Sequence, residues 1–305
     1  MRVSECVIAG FFTWTSALAV ALPITSTMRT RTLLANLIVL LIYILLLHSQ
    51  EWRWVEYARD WVPQALMILA YKQSGWFAPA QHTNALEHDW ILWDRLLLDT
   101  LGGRRLIESS GAIVPALLEL SYSLVYALPP ITMAVLYVLR LRRRSDTLLT
   151  IYLLGLLLCN AQFPFWPSEP PRAVFPGQDM PTVVTPIRQF NLWLVGNYGI
   201  HTSVFPSAHV SGAFAAAMAM AYLAPRRRAL VLAYFGYAAL VGVATVYGRY
   251  HYAVDALGGF IVGTVAGPLG ALLMRAARWR QNRSLLRARG EQVTDPYPSA
   301  RYDTR

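Results

Sequence analysis

Apolar positions along this chain come in long blocks, separated by short clusters of arginine, proline and acid. Residues 7–26 form the first block and residues 33–48 the second, the latter nearly unbroken from Leu33 to His48. Residues 55–76 are a weaker third, interrupted by Arg59, Asp60, Pro63 and Lys72. After a polar connection come blocks at 112–139, 147–163, 208–224, 229–248 and 253–274. A helix of ~20 apolar residues, rising ~1.5 Å per residue, spans the ~30 Å hydrocarbon layer of a bilayer. The pattern therefore predicts an all-α fold, a polytopic transmembrane helical bundle. Pro129 and Pro130 predict a kink in the 112–139 helix. The small residues of 208–224, with Gly258, Gly259, Gly263 and Gly267, predict close helix–helix approach.

The connections have patterns of their own. Between 78 and 110, Trp90, Ile91, Trp93 and Leu96 to Leu98 are interleaved with Asp89, Asp94, Arg95 and Asp99. This predicts an interfacial helix near 84–105, the plainer alternative being a lid or loop with no catalytic role. From Phe163 to Ile200, prolines at 164, 167, 170, 171, 176, 181 and 186 predict a stretch without regular helix. No small-x-small site closes residues 1–27, so they read as a retained helix rather than a cleaved signal. The organisation expected is N-terminal transmembrane helices over 1–54, a membrane domain over 55–275 and a basic cytoplasmic tail over 276–305.

Composition supports the membrane assignment. The chain has 305 residues, 55% hydrophobic and only 14% charged, against about 25% charged in soluble proteins. The mean hydropathy is +0.37. Ten Trp and sixteen Tyr suit aromatic belts at the two interfaces. The formal net charge of +10 comes from arginines clustered between apolar blocks, at Arg140 to Arg144, Arg226 to Arg228 and the tail. That distribution fits the positive-inside rule and argues against a nucleic-acid partner. With those clusters in the cytoplasm, the proline-rich connection, Pro206 to His209 and Arg249 to His251 all face the other side. Eight spans place both termini in the cytoplasm and leave Arg29 and Arg31 facing outward; seven result if 55–76 lies in the interface. Eight is the reading adopted. Cys6 and Cys159 lack metal-ligand spacing, so no disulfide framework, metal site or cofactor is expected.

Candidate chemistry lies at the edges of the last apolar blocks. Breaking a phosphate ester needs cations or N–H donors around its oxygens, a nucleophile, and an acid for the leaving group. His251 and Asp255 form an i, i+4 pair, close on one helical face. The carboxylate can fix the imidazole tautomer and leave the other nitrogen free to attack phosphorus. His209 is then the general acid and later the base. Arg172 and Arg249, with Ser207 and the N–H groups opening the 208–224 helix, are candidates to hold the phosphate. An ionisable residue at the mouth of an apolar segment is costly to keep and usually serves a function. A transporter would place such residues near the bilayer midplane on broken helices, whereas here they sit at loop boundaries.

At these residues the chain resembles the type 2 phosphatidic acid phosphatase (PAP2) superfamily. Its second motif, Pro-Ser-x-His, is matched by Pro206, Ser207, Ala208 and His209, and its third ends in His-x-x-x-Asp, matched by His251 and Asp255. The resemblance implies a six-helix core plus about two N-terminal helices, with His251 as phosphohistidine nucleophile, Asp255 as its orienting carboxylate and His209 as general acid. It also implies a metal-independent site and a membrane lipid phosphate or phospholipid as substrate. In the first motif Arg172 fills the arginine position, while Phe165 stands where the family has lysine. In the third, Thr245 stands where the family has arginine, and Arg249 lies two residues before His251. The Pro-Pro-Arg and Tyr-His-Tyr-x-x-Asp variants look like the branch that includes inositol phosphorylceramide synthases. The expected activity is hydrolysis of a lipid phosphate, with headgroup transfer to an alcohol as the alternative. The expected setting is a bacterial inner membrane, the site facing the periplasm or exterior.

Overall fold

The computed structural model describes residues 1–77, 83–200, 202 and 204–288, with side chains as far as 283. Among the described residues it is all-helical and has no strand. In chain order the helices are α1 (Val3–Ala21), α2 (Ser26–His48), α3 (Arg53–Ser74) and α4 (Ala85–Arg95), the last continued by a π-helical turn, Leu96–Thr100. Then come α5 (Gly103–Glu108), α6 (Ile113–Leu124), α7 (Leu128–Val138), α8 (Ser145–Gln162) and the single turn α9 (Pro171–Val174). The series ends with α10 (Pro186–Tyr198), α11 (Ala208–Leu223), α12 (Arg228–Tyr247) and α13 (Ala253–Ala288).

Six described segments are long and apolar enough to cross a membrane: α1, α2, α6 with α7, the stretch around α8, α12 and α13. The protein is a multi-pass integral membrane protein. α11 is apolar but shorter. α3 is more polar, yet it runs alongside the others for the whole length of the bundle. At one end its Asp60 accepts from Arg2 Nη1 at 2.6 Å and Arg142 Nε at 3.1 Å. At the other, the Tyr71 hydroxyl accepts the Ile200 N–H at 2.9 Å. The break before Pro129 and Pro130 is a 3₁₀ turn at Val125–Ala127, because prolines fit the first turn of a helix but not its interior.

α8 is the centre, packed against α1, α3, α11 and α13. The N-terminal helices are not set apart from it. The Val3 and Ser4 N–H groups donate to Asp146 at 3.1 and 2.9 Å, and Trp14 Nε1 donates to the Ala161 carbonyl at 3.2 Å, so α1 lies along all of α8. Arg29, which the eight-span reading leaves facing outward against the charge rule, donates from Nε to the Ala19 carbonyl at 2.9 Å and so caps the open end of α1.

α13 lies directly on α11. A Cβ at Gly259 would strike the Ser207 carbonyl, and one at Gly263 the Ser211 carbonyl. These glycines let two backbones meet, which is the packing role expected of them.

Two expectations need correction. The proline-rich connection contains a regular helix, α10, because Pro186 sits at its first position, where no N–H is needed, and the Thr185 hydroxyl caps it by accepting the Arg188 N–H at 3.2 Å. The last helix also does not stop near 275. It continues to Ala288, since Arg, Ala, Leu and Gln are good helix formers and no glycine or proline intervenes before Gly290. The expected tail beyond 288 lies outside the described residues.

Candidate active site

Two helix starts and one turn build the site. Ser207 caps α11, its hydroxyl accepting the Val210 N–H at 3.4 Å, and so sets His209 in the first turn. The Ser207 N–H in turn donates to the Asp255 carbonyl at 3.0 Å, tying the start of α11 to the start of α13. Between α12 and α13 the chain makes a tight turn in which Tyr250 N–H and His251 N–H both donate to the Thr245 carbonyl, at 2.9 and 3.0 Å.

The result is a histidine pair. His209 Nδ1 and His251 Nε2 are 3.2 Å apart, across 42 residues of sequence. On the far side of the His251 ring, Nδ1 stands 3.4 Å from Asp255 Oδ2. That oxygen accepts the Tyr252 N–H at 2.9 Å. His251 Nδ1 and Asp255 Oδ1 are buried without a hydrogen-bond partner. Burial, followed by the nearby Arg172 charge, pushes the His251 pKa down to about 3, with the Val204 backbone pulling the other way. The imidazole is neutral at ordinary pH.

Arg172, on α9, brings its charge near both imidazoles. Its Nη1 donates to the Tyr250 carbonyl at 3.4 Å, and its guanidinium lies 5.7 Å from the Tyr250 ring. Of the expected phosphate-binding groups it is partly exposed, whereas the other two are buried. The Ser207 hydroxyl is fully buried and engaged as a helix cap. Arg249 is 1% exposed and turned to α4, where Nη1 donates to Asp94 Oδ2 at 2.6 Å. Phe165 is half exposed and leans on Trp14, ring centroids 6.0 Å apart. Thr245 is buried and donates to the Gly242 carbonyl.

Several site residues were not foreseen. Tyr122 and Tyr126 wall the His209 ring, each 5.2 Å away, and Tyr250 stacks on Tyr122 at 3.9 Å. Beneath them Glu119 is fully engaged: Oε1 accepts Arg188 Nη1 at 2.7 Å, and Oε2 accepts Asn191 Nδ2 and the Tyr250 hydroxyl, each at 2.7 Å. A lone carboxylate inside an apolar segment was the available signal.

A helix in this stretch was foreseen, but not which of its faces turns inward. Leu92 and Trp93 are exposed, whereas Glu87 and Asp94 are fully buried. Asp94 Oδ1 accepts the Ala253 N–H at 2.8 Å. Burial pushes Asp94 up to about 6, against the Ala253 N–H and the Arg249 charge. The same burial lowers Arg249. On this helix Trp90 touches Phe205 and Tyr252, at 5.3 and 5.6 Å between ring centroids.

A family model described as PAP2 superfamily matches residues 95–269, more than half the chain. No curated protein and no solved structure matches it.

Proposed function

The chain belongs to the PAP2 superfamily, which comprises phosphoesterases and phosphotransferases, and on that premise we propose that it is a metal-independent lipid phosphatase working through a phosphohistidine. The observation that carries this reading is the contact of His209 Nδ1 with His251 Nε2, with Asp255 behind the second ring and the Arg172 charge near both rings. His251 Nε2 attacks phosphorus as the ester P–O bond breaks; His209, which burial and the neighbouring His251 hold neutral, is protonated as the phosphate anion enters and gives that proton to the departing alkoxide. His209 then takes a proton from water, whose oxygen attacks phosphorus; the N–P bond breaks and phosphate leaves. A phosphoryl group in line needs about 3 Å to the nucleophile and about 3 Å more for proton transfer. The imidazoles, 3.2 Å apart, must therefore separate to admit substrate.

Orientation follows from charge. The site lies at the end of the bundle opposite Arg144, which donates to the Leu223 carbonyl at 3.2 Å, and opposite Arg226 to Arg228. With those arginines cytoplasmic, the site faces the periplasm or exterior of a bacterial inner membrane. A second reading, headgroup transfer to an alcohol in the manner of inositol phosphorylceramide synthases, is favoured by the engagement of Arg249 with Asp94. Fewer free cations suit a singly charged phosphodiester better than a phosphomonoester.

The test uses a diacylglycerol phosphate in detergent micelles. His251→Ala is expected to abolish phosphate release and EDTA to leave it unchanged; full activity in the variant would sink the mechanism. A labelled phospholipid supplied with candidate alcohols separates the two readings, since a new lipid that requires His251 marks transfer.

A further inference from the structure

We propose that Asp94 is a positioning residue that holds the His251 turn in its working conformation from α4. The inference rests on the reading of that turn as catalytic and goes beyond it, because it assigns a role to a helix outside both histidine motifs. One carboxylate grips the chain on both sides of His251. Its Oδ2 takes Arg249, two residues before, and its Oδ1 takes the N–H of Ala253, two residues after. Arg249 has φ +63°, the left-handed region that residues other than glycine rarely occupy. Such a conformation persists only where the surroundings fix it, and here the ion pair with Asp94 adds to the Tyr250 and His251 N–H bonds to the Thr245 carbonyl in fixing it. The Ala253 N–H is one of the orphan donors that open α13, so Asp94 also serves as a helix cap supplied by another helix.

Both charges are buried, Asp94 at 0% and Arg249 at 1% exposure. A buried ion pair contributes little net stability and is weak as a staple. What it provides is geometry. The π-helical turn that follows α4 fits this, since such turns recur at functional sites. An Arg249 that bound substrate directly would have to be open to it.

The full-length protein in detergent micelles, with the diacylglycerol phosphate as probe, tests this. Asp94→Ala should lower kcat about a hundred-fold, the scale of a 1 Å misplacement, with KM within about two-fold. Asp94→Asn keeps an acceptor for Ala253 but not the charge, and should fall between. Amide hydrogen exchange across residues 249–256 should rise in both. Arg249→Lys, which keeps the charge, should recover more of kcat than Arg249→Ala. A raised KM with unchanged kcat would overturn the proposal by making Arg249 a substrate ligand, and unchanged exchange would overturn it regardless of activity. If Asp94→Ala does not fold, Asp94→Asn and Arg249→Lys carry the same measurements. A wild-type protein that releases no phosphate from the probe would refute the phosphatase reading instead, and the exchange result then decides on Asp94 by itself.

Discussion

The two ends of the bundle are each tied by a buried aspartate, and they are satisfied very differently. At the arginine-rich end Asp60 collects Arg2, Ser145, Tyr137 and Arg142, at 2.6, 2.7, 2.7 and 3.1 Å. Both of its oxygens are in use, and the elements it joins are α3, the start of α1 and the α7–α8 junction. At the histidine end Asp94 has its partners, but the groups around it do not. Arg249 Nε and Nη2, His251 Nδ1, Tyr252 Oη and Asp255 Oδ1 are buried without hydrogen-bond partners. Buried polar groups are nearly always paired, and an unpaired one costs about 1–3 kcal/mol. The first end is built to hold, the second to leave hydrogen-bonding capacity for a reaction.

Substitutions at the two ends should therefore separate activity from stability. The largest effect is expected from His209→Ala. Loss of the general acid should slow phosphate release about 10²- to 10⁴-fold and leave the melting temperature nearly unchanged; a comparable loss of stability with little loss of rate would erase the contrast. Asp60→Ala should do the reverse. Removing it strands Arg142, Tyr137 and Ser145, a loss of about 2–4 kcal/mol once the partial exposure of Arg2 and Arg142 is discounted, read by denaturant or thermal melting, with kcat of the folded fraction intact.

A smaller effect is expected from pH. Asp94 sits above the ordinary carboxylate range, so it takes up a proton as pH falls through about 6. The charges around it are Arg249 and Asp255, with Asp179 and Arg104 beyond Arg249. Below that pH the Arg249 pair loses its Coulomb attraction and phosphate release should drop several-fold. His251, at about 3, stays neutral throughout this range. The acid limb should vanish from the profile of Asp94→Asn, and its persistence there would assign it elsewhere. The smallest effect is expected from Phe165→Lys, which restores the lysine of the family pattern. The ring leans outward on Trp14, so kcat should change less than about two-fold; a large gain would show that the position does reach the phosphate.

The histidine motifs were legible because their chemistry is local: a four-residue spacing on a helix puts Asp255 near His251 whatever the rest of the chain does. Arg249 was legible as a cation near the site but not as a partner of Asp94, which lies 155 residues away in sequence. α4 was legible as amphipathic, but periodicity gives two faces and does not say which one turns inward. In a membrane the usual assignment inverts, with Leu92 and Trp93 outward and Glu87 and Asp94 inward. α10 was missed because a proline count cannot distinguish a helix breaker from a helix starter.

By itself the sequence determined the apolar segments, the end of the bundle on which the histidines fall, and the pairing of His251 with Asp255. These depend on hydrophobic length, charge asymmetry and helical pitch, all of which act over a few residues. Only the tertiary structure decided that His209 meets His251, that the Arg172 charge lies near them, and that Arg249 is committed to Asp94. Those contacts arise where glycines let α11 and α13 touch backbone to backbone and where α4 folds back over the turn. No local rule fixes a distance between residues that only packing brings together.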